Sequence, residues 1–178
     1  KKIGEYLPGE PELLRMMKRS YEILKNHPLN IERKAKGLNP ANSVWFWGAG
    51  TKPMLKNFKE KTGKSGAMIS AVDLLKGADM KAIEVEGANG GLHTNYEGKC
   101  EAAFNALQDP DCDFVYIHIE APDEMGHQGS YERKVQAIEN IDAKIIGPLT
   151  SKLSEKGVDF RMMVLPDHPT PVRLRTHT

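Results

Sequence analysis

The sequence predicts an α/β fold, a mostly parallel sheet with helices on both faces. Three observations carry this expectation. Short apolar runs of strand length alternate with longer stretches of helical periodicity. The clearest run, DFVYIHIE at 113–120, is β-branched and aromatic and follows a Pro-Asp turn. The two loops richest in ligand-type side chains come directly after predicted strands, where open parallel sheets bind their ligands.

The elements follow in order. Residues 11–26 carry Leu13, Leu14, Met17, Tyr21 and Leu24 at helical spacing, with Pro11 in the first turn and Pro28 closing the element. Residues 27–42 are polar and rich in turn formers, and read as a connection. Residues 44–47 form an unbroken apolar run closed by glycines, the pattern of a buried strand that holds both Trp45 and Trp47 in the core. A short helix is expected over 53–61, a strand over 67–70, a helix over 71–80 and a short strand over 83–85. The stretch 96–107 reads as a helix, with Gly98 a mild cost. After the strand at 113–120 comes a loop, APDEMGHQGS. A helix over 131–146 then places Val135, Ile138, Ile141 and Ile145 on one side, and Pro148 opens a shorter helical stretch. The last strand is expected at 160–165, running into PDHPTPVRLRTHT.

Composition narrows the function classes. A chain of 178 residues with 39% apolar and 28% charged residues fits one folded domain. A net charge of +1 gives no strong field toward nucleic acid or an anionic membrane, so an anionic substrate has to be gripped by a few placed cations. No apolar run approaches the roughly 18 residues of a membrane span. The opening KKIGEYLPGEPELL has no hydrophobic core after its lysines and does not read as a signal peptide. Cys100 and Cys112 are too few for a disulfide framework and read as reduced thiols in a cytoplasm. The chain opens without an initiator Met and closes on RLRTHT, and we expect it to be a piece of something longer.

The chemistry concentrates at Asp123, His127, Asp167, His168 and His177. Mixed carboxylate and imidazole donors suit zinc, manganese or iron. The Asp-x-x-x-His spacing of Asp123 and His127 puts both one helical turn apart or across one tight loop. Asp167 and His168 can ligate together only if the chain turns between them, and Pro166 and Pro169 favour a turn. Each pair alone is common by chance; together, after two strands of one sheet, they make a site. His118 lies inside a strand and reads as a core or supporting residue, and His27 and His93 as surface. Gly63-Lys64-Ser65 resembles the tail of a phosphate-binding loop, but Phe58 stands where its first glycine belongs. Gly48-Ala49-Gly50 follows a strand but lacks the third glycine of a dinucleotide loop. Arg173 and Arg175 are forks suited to phosphate, and Arg33, Lys34 and Lys36 form a second basic group.

Several segments in order, PANSVWFWGAG, AVDLLKG, NYEGK, EAPDEMGHQG and LPDHPTPVRLRTHT, resemble the archaeal-type cofactor-independent phosphoglycerate mutases of the alkaline phosphatase superfamily. PDEMGH and PDHPTPVRLRTHT are the most specific. The resemblance implies an incomplete alkaline-phosphatase-like domain over 27–178, with 1–26 as the helix leading out of a mostly missing inserted domain. It implies two divalent metal ions, manganese ranking ahead of zinc, magnesium or cobalt. Asp123, His127 and His177 would hold one, and Asp167 and His168 the other. An Asp and a nucleophilic Ser from outside this chain would complete the second site, so no catalytic nucleophile is expected here.

The resemblance further implies interconversion of 3-phosphoglycerate and 2-phosphoglycerate through a phosphoserine, with Lys36, Arg173 and Arg175 as candidate substrate-binding residues. Another phosphatase or phosphotransferase of the superfamily, including relatives labelled homoserine kinase, and a non-catalytic metal-binding module are the alternatives. Neither nucleic acid nor membrane is an expected partner.

Overall fold

A computed structural model describes residues 7–46, 50, 56–71 and 80–178. The chain divides into two compact units, Lys1–Pro53 and Met54–Thr178. Among the described residues, no helix is long and apolar enough to cross a membrane.

The first unit holds α1 (Pro11–Leu24) and α2 (Pro28–Ala35). Helix α1 starts on Pro11, as its sequence predicts, and buries Met17 and Ser20, while Tyr21 of the expected stripe stays exposed. The second helix corrects the expectation of a connection over 27–42. Pro28 stands at the N-terminus of α2 and the His27 ring nitrogen accepts from the Leu29 N–H at 3.3 Å, so a proline that ends one helix starts the next. Asn30 is buried and fully used: its amide donates to the carbonyls of Leu24 and Ala41, both at 2.8 Å, and its oxygen accepts from the Ala41 N–H at 2.9 Å. Ser20 Oγ accepts from the Val44 N–H at 2.9 Å.

These bonds explain a second correction. Residues 41–46 are held by side chains of the two helices rather than by a ladder, so the described part of the expected strand over 44–47 is irregular, and Val44 and Trp45 are exposed instead of core. Trp47, and residues 53–55 of the short helix expected over 53–61, lie outside the described residues.

The second unit begins with α3 (Phe58–Thr62), capped by the Asn57 side chain on the Glu60 N–H. Strands β1 (Gly66–Ile69), β2 (Lys81–Ile83) and β3 (Phe114–Ile117) form a parallel three-stranded sheet in the order β2-β1-β3. The α/β class and the parallel sheet are as the sequence predicts. Ile69 pairs with Ile83 on one side and Ile117 on the other. The helix expected over 71–80 falls on residues 72–79, outside the described residues, and β2 precedes the expected 83–85.

Helix α4 (Tyr96–Leu107) matches its expected bounds, with Asn95 accepting from the Gly98 N–H at 2.8 Å. Its buried face of Tyr96, Lys99, Cys100 and Ala103 packs with Val115 and Ile117 of β3. The alternate residue Phe114 points to the other face, where Phe58 of α3 stacks on it with ring centroids 5.0 Å apart. Both cysteines are free thiols.

Residues 121–127 form helix α5 (Ala121–His127) rather than the expected loop. Pro122 suits its first turn, and Asp123 and Glu124 lie where the helix dipole favours acids. Helix α6 (Tyr131–Ile141) passes through a π-helical stretch, Asp142–Ile146, into α7 (Gly147–Glu155). Its buried face centres on Ala137 and continues to Ile145, leaving Ile138 of the expected stripe exposed. The expected strand at 160–165 does not form. Phe160 packs against the core, but the rest of the run has no ladder partner among the described residues, and Met163, Val164 and Leu165 are exposed.

Candidate metal centre

The site is built by α5 and by the turn near the end of the chain. One helical turn sets Asp123 above His127, and Asp123 Oδ2 lies 3.3 Å from His127 Nε2. The helix stops immediately after His127 in a Schellman motif: Ser130 N donates to Met125 O at 3.1 Å and Gly129 N to Gly126 O at 3.0 Å. Gly129 takes φ +72°, a left-handed backbone that calls for glycine, and the end of the Arg175 side chain lies against it.

The second half of the site is a turn in which the Leu174 and Arg175 N–H groups both donate to Pro171 O, at 3.0 and 2.9 Å. Arg175 sits at φ 55°, and its carbonyl accepts from His127 Nδ1 at 3.0 Å. A carbonyl can only accept, so Nδ1 carries the ring proton and Nε2 keeps a free lone pair. His177 then brings its Nε2 to 3.1 Å from His127 Nε2 and 3.2 Å from Asp123 Oδ1.

Asp123, His127 and His177 thus offer three donor atoms close to one another. The two imidazole Nε2 atoms stand 3.1 Å apart and each lies 3.2 to 3.3 Å from a different oxygen of Asp123, spacings that suit one cation. Metal–ligand bonds of about 2.0–2.1 Å put adjacent donors roughly 3.3 Å apart in a tetrahedron and about 2.9 Å in an octahedron. The donor set of one carboxylate and two imidazoles therefore fits a divalent transition metal, with coordination positions left over.

The other expected ligands lie beside this group. The chain bends at Asp167 and His168, as the flanking prolines predict, and Asp167 Oδ2 comes within 3.6 Å of His168 Nε2. The His168 and His177 rings are 3.8 Å apart by centroid. Asp167 is exposed, and this pair has only two donors of its own. Arg173 and Arg175 are exposed; the Arg175 side chain lies against Gly129. Lys36 belongs to the first unit, where its Nζ pairs with Glu32 Oε1 at 2.5 Å.

Burial alone would raise the Asp123 carboxyl. The Thr170 hydroxyl, which donates to Asp123 Oδ1, and the nearby imidazoles of His127, His177 and His168 outweigh it, and the carboxyl titrates below its ordinary range.

Sequence reading missed Thr170, Lys134 and Gly126. Thr170 is buried against α5, and Lys134 Nζ donates to its carbonyl at 2.7 Å. A Cβ on Gly126 would stand 2.5 Å from that carbonyl. The available signal was Gly126 itself, a glycine just before His127 in a stretch able to form a helix.

A donor triad of this kind, after a strand of a parallel sheet, defines a metal-binding α/β protein. The chain belongs to the Metalloenzyme superfamily, which matches residues 15–178. It is similar to the 2,3-bisphosphoglycerate-independent phosphoglycerate mutase of Methanosarcina barkeri, 48% identical over 99% of this chain and 46% of that protein. The protein of that name from Methanosarcina acetivorans is 49% identical, over 99% of this chain and 44% of its own length. A Geobacter sulfurreducens protein named as a probable enzyme of the same kind is 48% identical, over 99% and 45%. The chain therefore spans somewhat under half the length of these relatives. Among solved structures, the PH0037 protein of Pyrococcus horikoshii shares the fold with a TM-score of 0.70 and 31% identity, over 99% of this chain and 45% of that one.

Proposed function

We propose that this chain is the metal-binding portion of a 2,3-bisphosphoglycerate-independent phosphoglycerate mutase. The observation that carries the reading is the convergence of Asp123 Oδ1 and Oδ2, His127 Nε2 and His177 Nε2 at cation-binding separations. The relatives named for that activity, identical at nearly half the aligned positions, support the substrate class. On this reading residues 27–178 are part of a phosphatase-like domain, and 1–26 lead out of an inserted one.

Two divalent ions are proposed, manganese first. Asp123, His127 and His177 hold one, and Asp167 and His168 contribute to the other, completed by an Asp and the nucleophilic Ser from the remainder of a longer protein. Bound together, such ions stabilise the charge on the attacking and leaving oxygens of a phosphoryl transfer. The residues of this chain do the rest of the work assigned to it. His127 presents Nε2 because Arg175 O holds the proton on Nδ1. Asp123 presents both oxygens, one toward each imidazole. Arg173, Arg175 and Lys36 are the cations proposed to meet substrate phosphate. The phosphoryl group would pass to the external Ser and return to the 2-hydroxyl of glycerate, in a cytoplasmic glycolytic step.

Without the external Ser, this chain alone is expected to show no turnover. The test is interconversion of 3- and 2-phosphoglycerate by the full-length protein, before and after metal depletion and with His127→Ala. Metal-dependent activity lost in the variant is the expected result. A full-length protein that binds metal but never interconverts the two substrates sinks the assignment.

A further inference from the structure

Thr170 is a tightly held residue beside the candidate metal donors. It is 2% exposed, although its neighbours on either side lie near the surface. Three contacts fix it. Its hydroxyl donates to Asp123 Oδ1. Its carbonyl accepts from Lys134 Nζ at 2.7 Å. Its backbone and methyl press on α5 at Gly126, where a Cβ would meet Thr170 O at 2.5 Å and Thr170 Cγ2 at 3.0 Å. The hydroxyl also lies 3.4 Å from His168 Nδ1.

The chemistry of one hydroxyl assigns the protons. A threonine has a single O–H to donate and two lone pairs to accept with. Asp123 is acceptor-only when ionised, so the O–H goes to Asp123. The contact to His168 then requires His168 Nδ1–H to donate to Thr170 Oγ1, which leaves His168 Nε2 unprotonated on the side facing Asp167 Oδ2, 3.6 Å away. One side chain therefore touches a member of each group of ligands.

We propose that Thr170, held in place by Lys134, is a positioning residue that couples the two groups of ligands. It fixes the rotation of the Asp123 carboxylate for the Asp123–His127–His177 group, and it selects the Nε2-binding tautomer of His168 for the Asp167–His168 pair. Lys134 acts through the Thr170 carbonyl, and Gly126 permits the approach. The inference rests on the metal-binding reading above and deepens it. Groups that orient metal ligands typically contribute about 10- to 100-fold in metal affinity.

The test is competitive titration of the metal-depleted full-length protein with Mn²⁺ and with Zn²⁺, comparing wild type with Thr170→Val, Thr170→Ser and Lys134→Met. Thr170→Val keeps the shape and loses the hydroxyl. It should weaken binding by about 10- to 100-fold, with the metal-free melting temperature close to wild type. Thr170→Ser should restore affinity to within a few-fold. Histidine ¹⁵N spectra of the metal-free protein should show His168 protonated on Nδ1 in wild type and a mixture of tautomers in Thr170→Val. If Thr170→Val does not fold, Lys134→Met carries the decision, with a smaller loss of affinity expected. Wild-type affinity in Thr170→Val, or in Lys134→Met where that variant decides, overturns the coupling role. Failure of the wild-type protein to bind either metal is a different result, and overturns the metal-binding reading on which the inference stands.

Discussion

His127 Nδ1 donates to the main-chain carbonyl of Arg175, 3.0 Å away and 48 residues along the chain. This bond decides which nitrogen of His127 is free to bind metal, and it is made by the backbone of Arg175, not by its guanidinium. His127→Ala should abolish binding at the Asp123–His127–His177 group. Arg175→Lys should leave it within a few-fold, because the carbonyl survives the change. Metal content by mass spectrometry after dialysis reads both, and a loss in Arg175→Lys as complete as in His127→Ala would show that the side chain matters more than the carbonyl.

Metal affinity should fall steeply in mild acid. Two imidazoles must be neutral to ligate, so protons compete with the metal and the apparent affinity falls as the solution is acidified. Asp123 behaves differently. Its folded carboxyl lies below the ordinary range, so its contribution to stability is present above the unfolded value of about 3.9 and is lost only as pH falls through the lower folded value. Metal should leave before the fold does. Chelator competition and circular dichroism across pH 8 to 4 separate the two events, and coincident transitions would contradict this order.

Lys99 predicts a stability effect at the other end of the pH scale. It is fully buried, its Nζ donates to His118 O at 3.0 Å, and burial pushes its ammonium below the ordinary lysine value, with the Glu120 charge pulling the other way. Between the depressed folded value and about 10.4, the unfolded chain binds more protons than the folded one, so stability rises with pH in that window. Lys99→Met removes the rise. From pH 7 to pH 10 the urea midpoint of wild type should rise relative to that of the variant; a constant difference between the two proteins would rule the mechanism out.

Gly126→Ala sets two effects against each other. Alanine gains about 1 kcal/mol of helix propensity over glycine. The added Cβ would meet Thr170 O at 2.5 Å, a backbone atom that cannot swing away. Overpacking of that kind costs about 1–3 kcal/mol, so we expect net destabilisation. Melting of the metal-free protein checks the sign, and a more stable variant would mean that the turn carrying Thr170 gives way easily.

The α/β class, α4 and the grouping of Asp123, His127 and His177 were legible because each rests on local pattern or on a motif. Helix α4 has its Asn95 cap and its apolar face in one stretch of sequence. The misreadings share a different cause. Residues 160–165 have the composition of a strand, but a strand exists only where another backbone supplies its ladder, and none does among the described residues. Residues 44–46 look like core, but Ser20 holds Val44 and Asn30 holds Ala41 just before it, so the stretch is pinned from outside. Helix α2 was hidden by Pro28, a residue that closes one helix and opens the next. Thr170 and Lys134 were invisible for a plainer reason: a hydroxyl aimed at a carboxylate 47 residues away leaves no local periodicity.

The donors His127 and His177 stand 50 residues apart. An ion bound between them, as proposed, would act as a removable cross-link, closing a loop that runs through α6, the π-helical stretch and α7. Closing a flexible loop of that length costs roughly 3.5 kcal/mol of chain entropy, which the folded chain has already spent by placing both imidazoles side by side. Metal should therefore select the folded form by mass action, and amide exchange throughout α6 and α7 should slow on loading, far from any atom the ion touches.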